Sequence, residues 1–146
     1  MIYRTLTQAD VEQVHALDQS CFPPGIAYSA NEIAAYLRLH GLHQGCIGKD
    51  GSPLLGLLLS CGQQQRGHII TLDVDADARR RGIGQQLMRN AEQYYRERGA
   101  RGMRLEAAVN NAGALAFYAR LGYRVVRRLA GYYAADLDAL QLDLDF

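Results

Sequence analysis

The chain has 146 residues, a length that fits one domain with little room for a second. Hydrophobic residues make up 49% and charged residues 21%, the balance of a globular chain with one sizeable core, which excludes a disordered tail protein. Lys and Arg number 16 against 15 Asp and Glu, and the net charge of +1 argues against a broad nucleic-acid-binding surface.

The opening Ile2–Leu6 reads as a short strand. Thr7, with Asp10 three residues on, resembles a capping box ahead of the helical pattern Val11, Val14, Leu17. Cys21-Phe22-Pro23-Pro24-Gly25 breaks that helix. Ser29 and Glu32 form a second capping box, opening a helix with the apolar stripe Ile33, Tyr36, Leu37. Two helices joined through Pro-Pro-Gly fit a flap better than a core layer. From Gln44 the pattern turns to strands. Asp50-Gly51 marks a hairpin turn between Cys46–Gly48 and Leu54–Leu59, and Gly67–Asp75 follows the polar turn Gln63–Arg66.

A glycine-rich segment, Arg79–Gly84, leads into a helix with Ile83, Leu87, Met88, Ala91 and Tyr95 on one side, ended by Gly99. Met103–Val109 is a strand, Asn111–Leu121 a helix closed by Gly122, and Tyr123–Leu129 a strand. The tail alternates Leu140, Leu142, Leu144 and Phe146 with polar residues, as a half-buried strand does. Hairpins early and late with crossovers between them predict an α+β fold. Its central sheet is mixed and mostly antiparallel, with about seven strands and about four helices on its faces.

Cys21, Cys46 and Cys61 are odd in number and widely spaced, without a CxxC or a Cys/His cluster. Neither a disulfide framework nor a metal site is expected, and reduced thiols point to the cytoplasm. The N-terminus lacks the basic then apolar run of a signal peptide, and the apolar stretch Leu54–Leu59 is far too short to span a membrane. A soluble chain is expected.

Ile69–Gly84 runs strand, loop, helix, and carries the most information. Gly82 and Gly84 remove side chains that would keep a ligand from the amides at the helix start. Those donors, the helix dipole and Arg79, Arg80 and Arg81 together favour a phosphate group. There is no Gly-Lys-Ser/Thr, so it is not a Walker loop, and the third glycine of a dinucleotide fingerprint is missing.

Arg79-Arg80-Arg81-Gly82-Ile83-Gly84 resembles the acetyl-CoA loop of the GNAT N-acetyltransferase superfamily, Arg/Gln-x-x-Gly-x-Gly/Ala. Asn111-Ala112-Gly113-Ala114-Leu115-Ala116-Phe117-Tyr118, continuing to Gly122-Tyr123, is similar to that family's Asn-x-x-Ala-x-x-Phe/Tyr-Tyr-x-x-x-Gly-Phe/Tyr signature. The resemblance covers essentially the whole chain, so residues 1–146 are expected to form a single N-acetyltransferase domain. It implies acetyl-CoA as cosubstrate. The loop amides from Arg79 to Gly84 would hold the pyrophosphate, and Leu72, Asp73 and Val74 would pair with the pantetheine like an added strand. Asn111 can cap its helix, and Tyr118 lies seven residues on and so nearly on the same face, about 10.5 Å away. A phenol with a reference pKa of about 10 can protonate a leaving thiolate, which makes Tyr118 the candidate general acid.

Two residues compete as general base. The strongest likeness within the superfamily is to bacterial ribosomal-protein-alanine N-acetyltransferases, where Leu-Glu-x-x-x-Asn carries the base, and that Glu falls on Glu106. Its plain structural alternative is a strand carboxylate paired with Arg104 or Arg101. His68 begins the strand that leads to the glycine loop and needs little tuning to act near neutral pH.

Phe22-Pro23-Pro24 and Tyr132-Tyr133 resemble the substrate loop and the tyrosine hairpin of enzymes that acetylate protein N-termini. The implied acceptor is therefore a protein or peptide N-terminal amine. A small-molecule amine, or a CoA-binding module without turnover, are the alternatives. The sequence departs from the family at Asp73, where a small apolar residue is usual, and at Ala76, which replaces a Pro.

Overall fold

The computed structural model describes residues Met1–Phe146. Seven strands form one sheet in the order β1-β2-β3-β4-β5-β7-β6. They are β1 (Ile2–Thr5), β2 (His43–Ile47), β3 (Leu54–Gln63), β4 (Arg66–Val74), β5 (Gly102–Ala108), β6 (Arg124–Ala134) and β7 (Leu137–Asp145). The helices are α1 (Val11–Cys21), α2 (Ala30–Leu37), α3 (Ile83–Glu97) and α4 (Ala112–Arg120). The expected α+β architecture, with its mostly antiparallel sheet, is the one observed. No helix is long and apolar enough to cross a membrane.

Both capping boxes form. Thr7 and Asp10 close one around a 3-10 turn that runs into α1, and Ser29 and Glu32 close the other at α2. α1 stops where it must, because Phe22 precedes Pro23 and takes an extended conformation. The two helices form a core layer, and the flap suggested by their Pro-Pro-Gly connection is corrected. Val14 and Ile33 are fully buried with Leu57 and Leu59 of β3. On the other face, α3 lays Leu87, Met88, Ala91 and Tyr95 against Leu58, Met103 and Leu105. Successive leucines of β3 thus serve opposite cores, the signature of a central strand buried on both sides.

β4 and β5 are the only parallel neighbours, as a crossover through α3 requires. They pair over three residues, Arg66–His68 against Gly102–Arg104, and then part. A bulge marks the parting. Leu59 faces Thr71 while Ser60 faces Ile69, so Ile70 has no partner on β3 and β4 bends there.

The hairpin β6–β7 is longer than the alternation alone suggests. β6 runs through Tyr132 and Tyr133 as strand residues, and the turn falls at Ala135-Asp136. The register slips between Leu129 and Ala134, where Gly131 takes φ +62° and donates its N–H to Asp138. That irregularity re-aims both tyrosines toward the sheet face carrying Glu106.

Gly67 marks how closely β4 lies on α3. A Cβ there would fall 2.6 Å from Cγ of Tyr95 and 2.8 Å from Sδ of Met103. Gly67→Ala should cost about 1–3 kcal/mol through overpacking. A thermal melt unchanged from the wild type would show that α3 yields more readily than this packing implies.

Candidate active site

The parting of β4 and β5 opens a cleft of about 740 Å³. Leu72 and Val74 line it from one strand, Leu105 to Ala108 from the other, and the loop before α3 borders it. Arg80 at φ +66° and Gly82 at φ +79° both take the left-handed conformation, turning the backbone sharply into the helix. Gly82 caps α3 without a side chain, which leaves the first-turn amides open to a ligand. Gly84 completes the opening. A Cβ there would meet the Phe117 ring at 3.3 Å and Val74 at 3.6 Å, narrowing the passage. Arg79 donates its Nε–H to the Val74 carbonyl at 3.4 Å, tying the loop to the strand end.

Asn111 caps α4 by accepting the Ala114 N–H at 3.1 Å. Tyr118, two turns on, packs edge-on between Phe117 and Tyr123 and lines the cleft. Burial, reinforced by Asp73 and Tyr133, pushes its phenol well above the usual range, so it stays protonated.

The side of the cleft around Glu106 holds the charge. His68 Nε2 lies 2.7 Å from Glu106 Oε1, so the two rival base candidates are one ion pair. Burial alone would lower the imidazole. Neighbouring Cys61, together with the hydrogen bond and charge of Glu106, outweighs it and raises His68 to about 9. Tyr132 donates its O–H to Glu106 Oε1 and Tyr133 to the Glu106 carbonyl, each at 3.3 Å. The tyrosines are themselves pushed upward by burial and by Glu106, Tyr133 to about 12. Arg104 does not neutralise Glu106. It makes a two-pronged contact with Asp143, at 2.8 and 2.9 Å.

The acetyltransferase (GNAT) family model matches residues 3–123. The chain belongs to the GNAT acetyltransferase family. It is 43% identical over 84 residues to the N-alpha-acetyltransferase MAK3 of Arabidopsis thaliana, a match covering 58% of this chain and 44% of that protein. It therefore spans less than half of that relative's length. An uncharacterized N-acetyltransferase of Methanocaldococcus jannaschii, MJ1530, is 29% identical over 143 residues, 96% of this chain and 88% of the relative. The fold superposes on Arabidopsis thaliana NAA60 in complex with acetyl-CoA with a TM-score of 0.86, at 21% identity and 99% coverage of each chain. On the ribosomal-protein-S18-alanine N-acetyltransferase from Escherichia coli it reaches 0.85, also at 21% identity, covering 99% of this chain and 92% of that one.

In this GNAT chain the cleft gathers Phe22, Leu72, Val74, Arg79, Arg80, Gly82, Ile83, Gly84, Glu106, Asn111, Tyr118 and Tyr133. Pro23, His68, Asp73 and Tyr132 stand outside its lining, and Arg81 turns to a shallow groove beside Met1 and Tyr3. Tyr28 is a lining residue that sequence reading missed. Its O–H donates to the Ile70 carbonyl at 3.3 Å, a contact that exists only because α1 and α2 lie against β4. Cys61 was also missed, although the hairpin turn held the signal. Gln63 pairs with Arg66, so Cys61 must face His68.

Asp73 departs from the family pattern for a reason the fold supplies. Its side chain is not part of the cleft lining but lies fully buried beside buried Asp18 of α1. Thr71 Oγ1 lies 2.6 Å from Asp73 Oδ1 and 3.3 Å from Asp18 Oδ1, while Asp73 Oδ2 has no partner. Burial first, then Asp18, raises Asp73 well above the ordinary 3.8, so it keeps its proton. The native state therefore binds more protons than the unfolded chain above that value, and stability falls as pH rises through the interval. Asp73→Asn should remove this fall and give a Tm at neutral pH equal to or above the wild type. Calorimetry across pH decides, and a variant less stable at neutral pH overturns the assignment.

Proposed function

We propose that this chain is an acetyl-CoA-dependent N-acetyltransferase whose acceptor is a protein or peptide N-terminal α-amine. The observation that carries this reading is the His68–Glu106 pair on the acceptor side of a cleft whose other border is an amide cradle. Gly82 and Gly84 leave the cradle open, and Arg79 and Arg80 add positive charge beside it, as a pyrophosphate needs. The unpaired edges of β4 and β5 face the same cleft and suit an amide-bearing pantetheine arm. When bound, acetyl-CoA supplies the activated thioester.

The chain's own groups then divide the work. His68 is protonated below about pH 9, so at neutral pH the Glu106 carboxylate is the group able to take the amine proton. His68 balances that carboxylate's charge and aims it. The amine nitrogen forms the new bond to the carbonyl carbon, the carbon–sulfur bond breaks, and Tyr118 returns a proton to sulfur. Tyr132 and Tyr133 flank Glu106 and leave room for an extended peptide backbone, whose amides they are placed to bind. MAK3 bears the name N-alpha-acetyltransferase, and one solved structure of similar fold is a NatC complex bound to Gag peptide and CoA, which supports the acceptor class. Three free cysteines fit a reducing cytoplasm.

Mass spectrometry of acetyl transfer to peptides with free N-termini, N-blocked peptides with internal lysine, and small amines tests the reading. Transfer to free N-termini is expected. Transfer confined to small amines would move the substrate class, and acetyl-CoA binding with no transfer to any amine would overturn the enzyme. Glu106→Gln and Tyr118→Phe should each lower kcat by about 10²-fold with acetyl-CoA affinity held. A parallel loss of affinity in Tyr118→Phe would argue for a packing role instead.

A further inference from the structure

His68 has a neighbour on either side, Glu106 on β5 and Cys61 on β3. Glu106 occupies Nε2 at 2.7 Å, which leaves Nδ1 as the ring atom available to another group. Cys61 stands directly opposite His68 in the β3–β4 hairpin, where side chains of paired residues share a face at contact distance. It is half-exposed beside Gly62 and Gln63, both open to solvent at the hairpin end. The register that makes this contact follows from the tight turn at Gln64 and Gln65, both left-handed at φ +52° and +65°. A shift of one residue would send Cys61 to the α3 face.

We propose that Cys61 is a positioning residue for the base: its sulfur accepts the His68 Nδ1–H and so holds the imidazolium with Nε2–H on Glu106. This rests on the acetyltransferase reading. The amine proton adds to a Glu106 oxygen, and the imidazolium, which already carries a hydrogen on both ring nitrogens, aims that carboxylate and balances its charge without taking a further proton.

The other groups around the pair do not compete for Nδ1. Arg104, beside His68 on β5, is committed to Asp143, and Tyr132 of β6 donates to Glu106. Burial and Glu32 keep the Tyr36 phenol of α2 raised and neutral. Cys61 is the residue that the hairpin register sets beside His68 on β3.

The test uses the full chain with Cys61→Ala and Cys61→Ser. NMR titration of the His68 ring reads the contact directly, whether or not any amine is acetylated. The wild-type midpoint should stand near 9, Cys61→Ala should lower it by about one pH unit, and Cys61→Ser, whose oxygen can accept the same N–H, should recover most of the shift. In acetyl transfer, Cys61→Ala should lose about tenfold in kcat with the KM for acetyl-CoA unchanged, and Cys61→Ser should regain it. An unmoved midpoint in Cys61→Ala overturns the proposal, as does an equal loss of kcat in both variants. A wild type that acetylates nothing would sink the acetyltransferase reading while the titration still decides the role of Cys61.

Discussion

Everything at this site depends on two strands that start together and then separate. β4 and β5 share only three paired residues before the unpaired Ile70 bends β4 away. Had the parallel ladder continued, its hydrogen bonds would have filled the space the cleft now occupies. The backbone edges exposed by the parting are strong donors and acceptors that need partners. An empty sheet edge is ordinarily a hazard for a folded protein. Here it lies inside a groove bordered by residues of α1, α3 and α4.

The bulge also decides which residues serve which face. Past Ile70 the alternation changes phase, so Thr71 and Asp73 point to the α1 layer while Leu72 and Val74 pack with the α3 core. That phase explains an aspartate at a position the family keeps apolar. Asp73 is tolerated because it stays neutral beside Asp18, and Asp18 in turn accepts the Tyr28 N–H at 2.8 Å, anchoring the loop that borders the cleft. Burial keeps Tyr118 and Tyr28 protonated as well. Against this neutral background the His68–Glu106 pair stands as an ionised couple at the edge of the cleft. A charge pair that is half-buried and hydrogen-bonded is worth more than the same pair in water.

What could be read before folding was local. Thr7 with Asp10 and Ser29 with Glu32 are capping chemistry spelled out within four residues, and both boxes form as read. Gly82 and Gly84 announce an open helix start because their effect depends only on their own backbone. The long-range relations were not legible in that way. Glu106 was offered Arg104 or Arg101 as a partner, since arginines nearby in sequence are the obvious choice. The fold sends Arg104 to Asp143 and brings in His68, 38 residues away, across the only parallel pair in the sheet. The flap reading of α1 and α2 failed for a related reason. Pro23 and Pro24 describe the connection between the helices, whereas Val14 and Ile33 decide what the helices bury.

The sequence by itself determined the element order, the mixed sheet, the open glycine start of α3 and the two capping boxes. Those follow from periodicity, turn chemistry and short motifs, which act over a few residues at a time. Tertiary structure alone decided that His68 and Glu106 are one unit, and that Gly131 swings Tyr132 and Tyr133 onto it. It also decided that Asp73 is buried beside Asp18. Each of these rests on strand register or on a bulge, and a displacement of one residue in either reverses the face of every side chain beyond it.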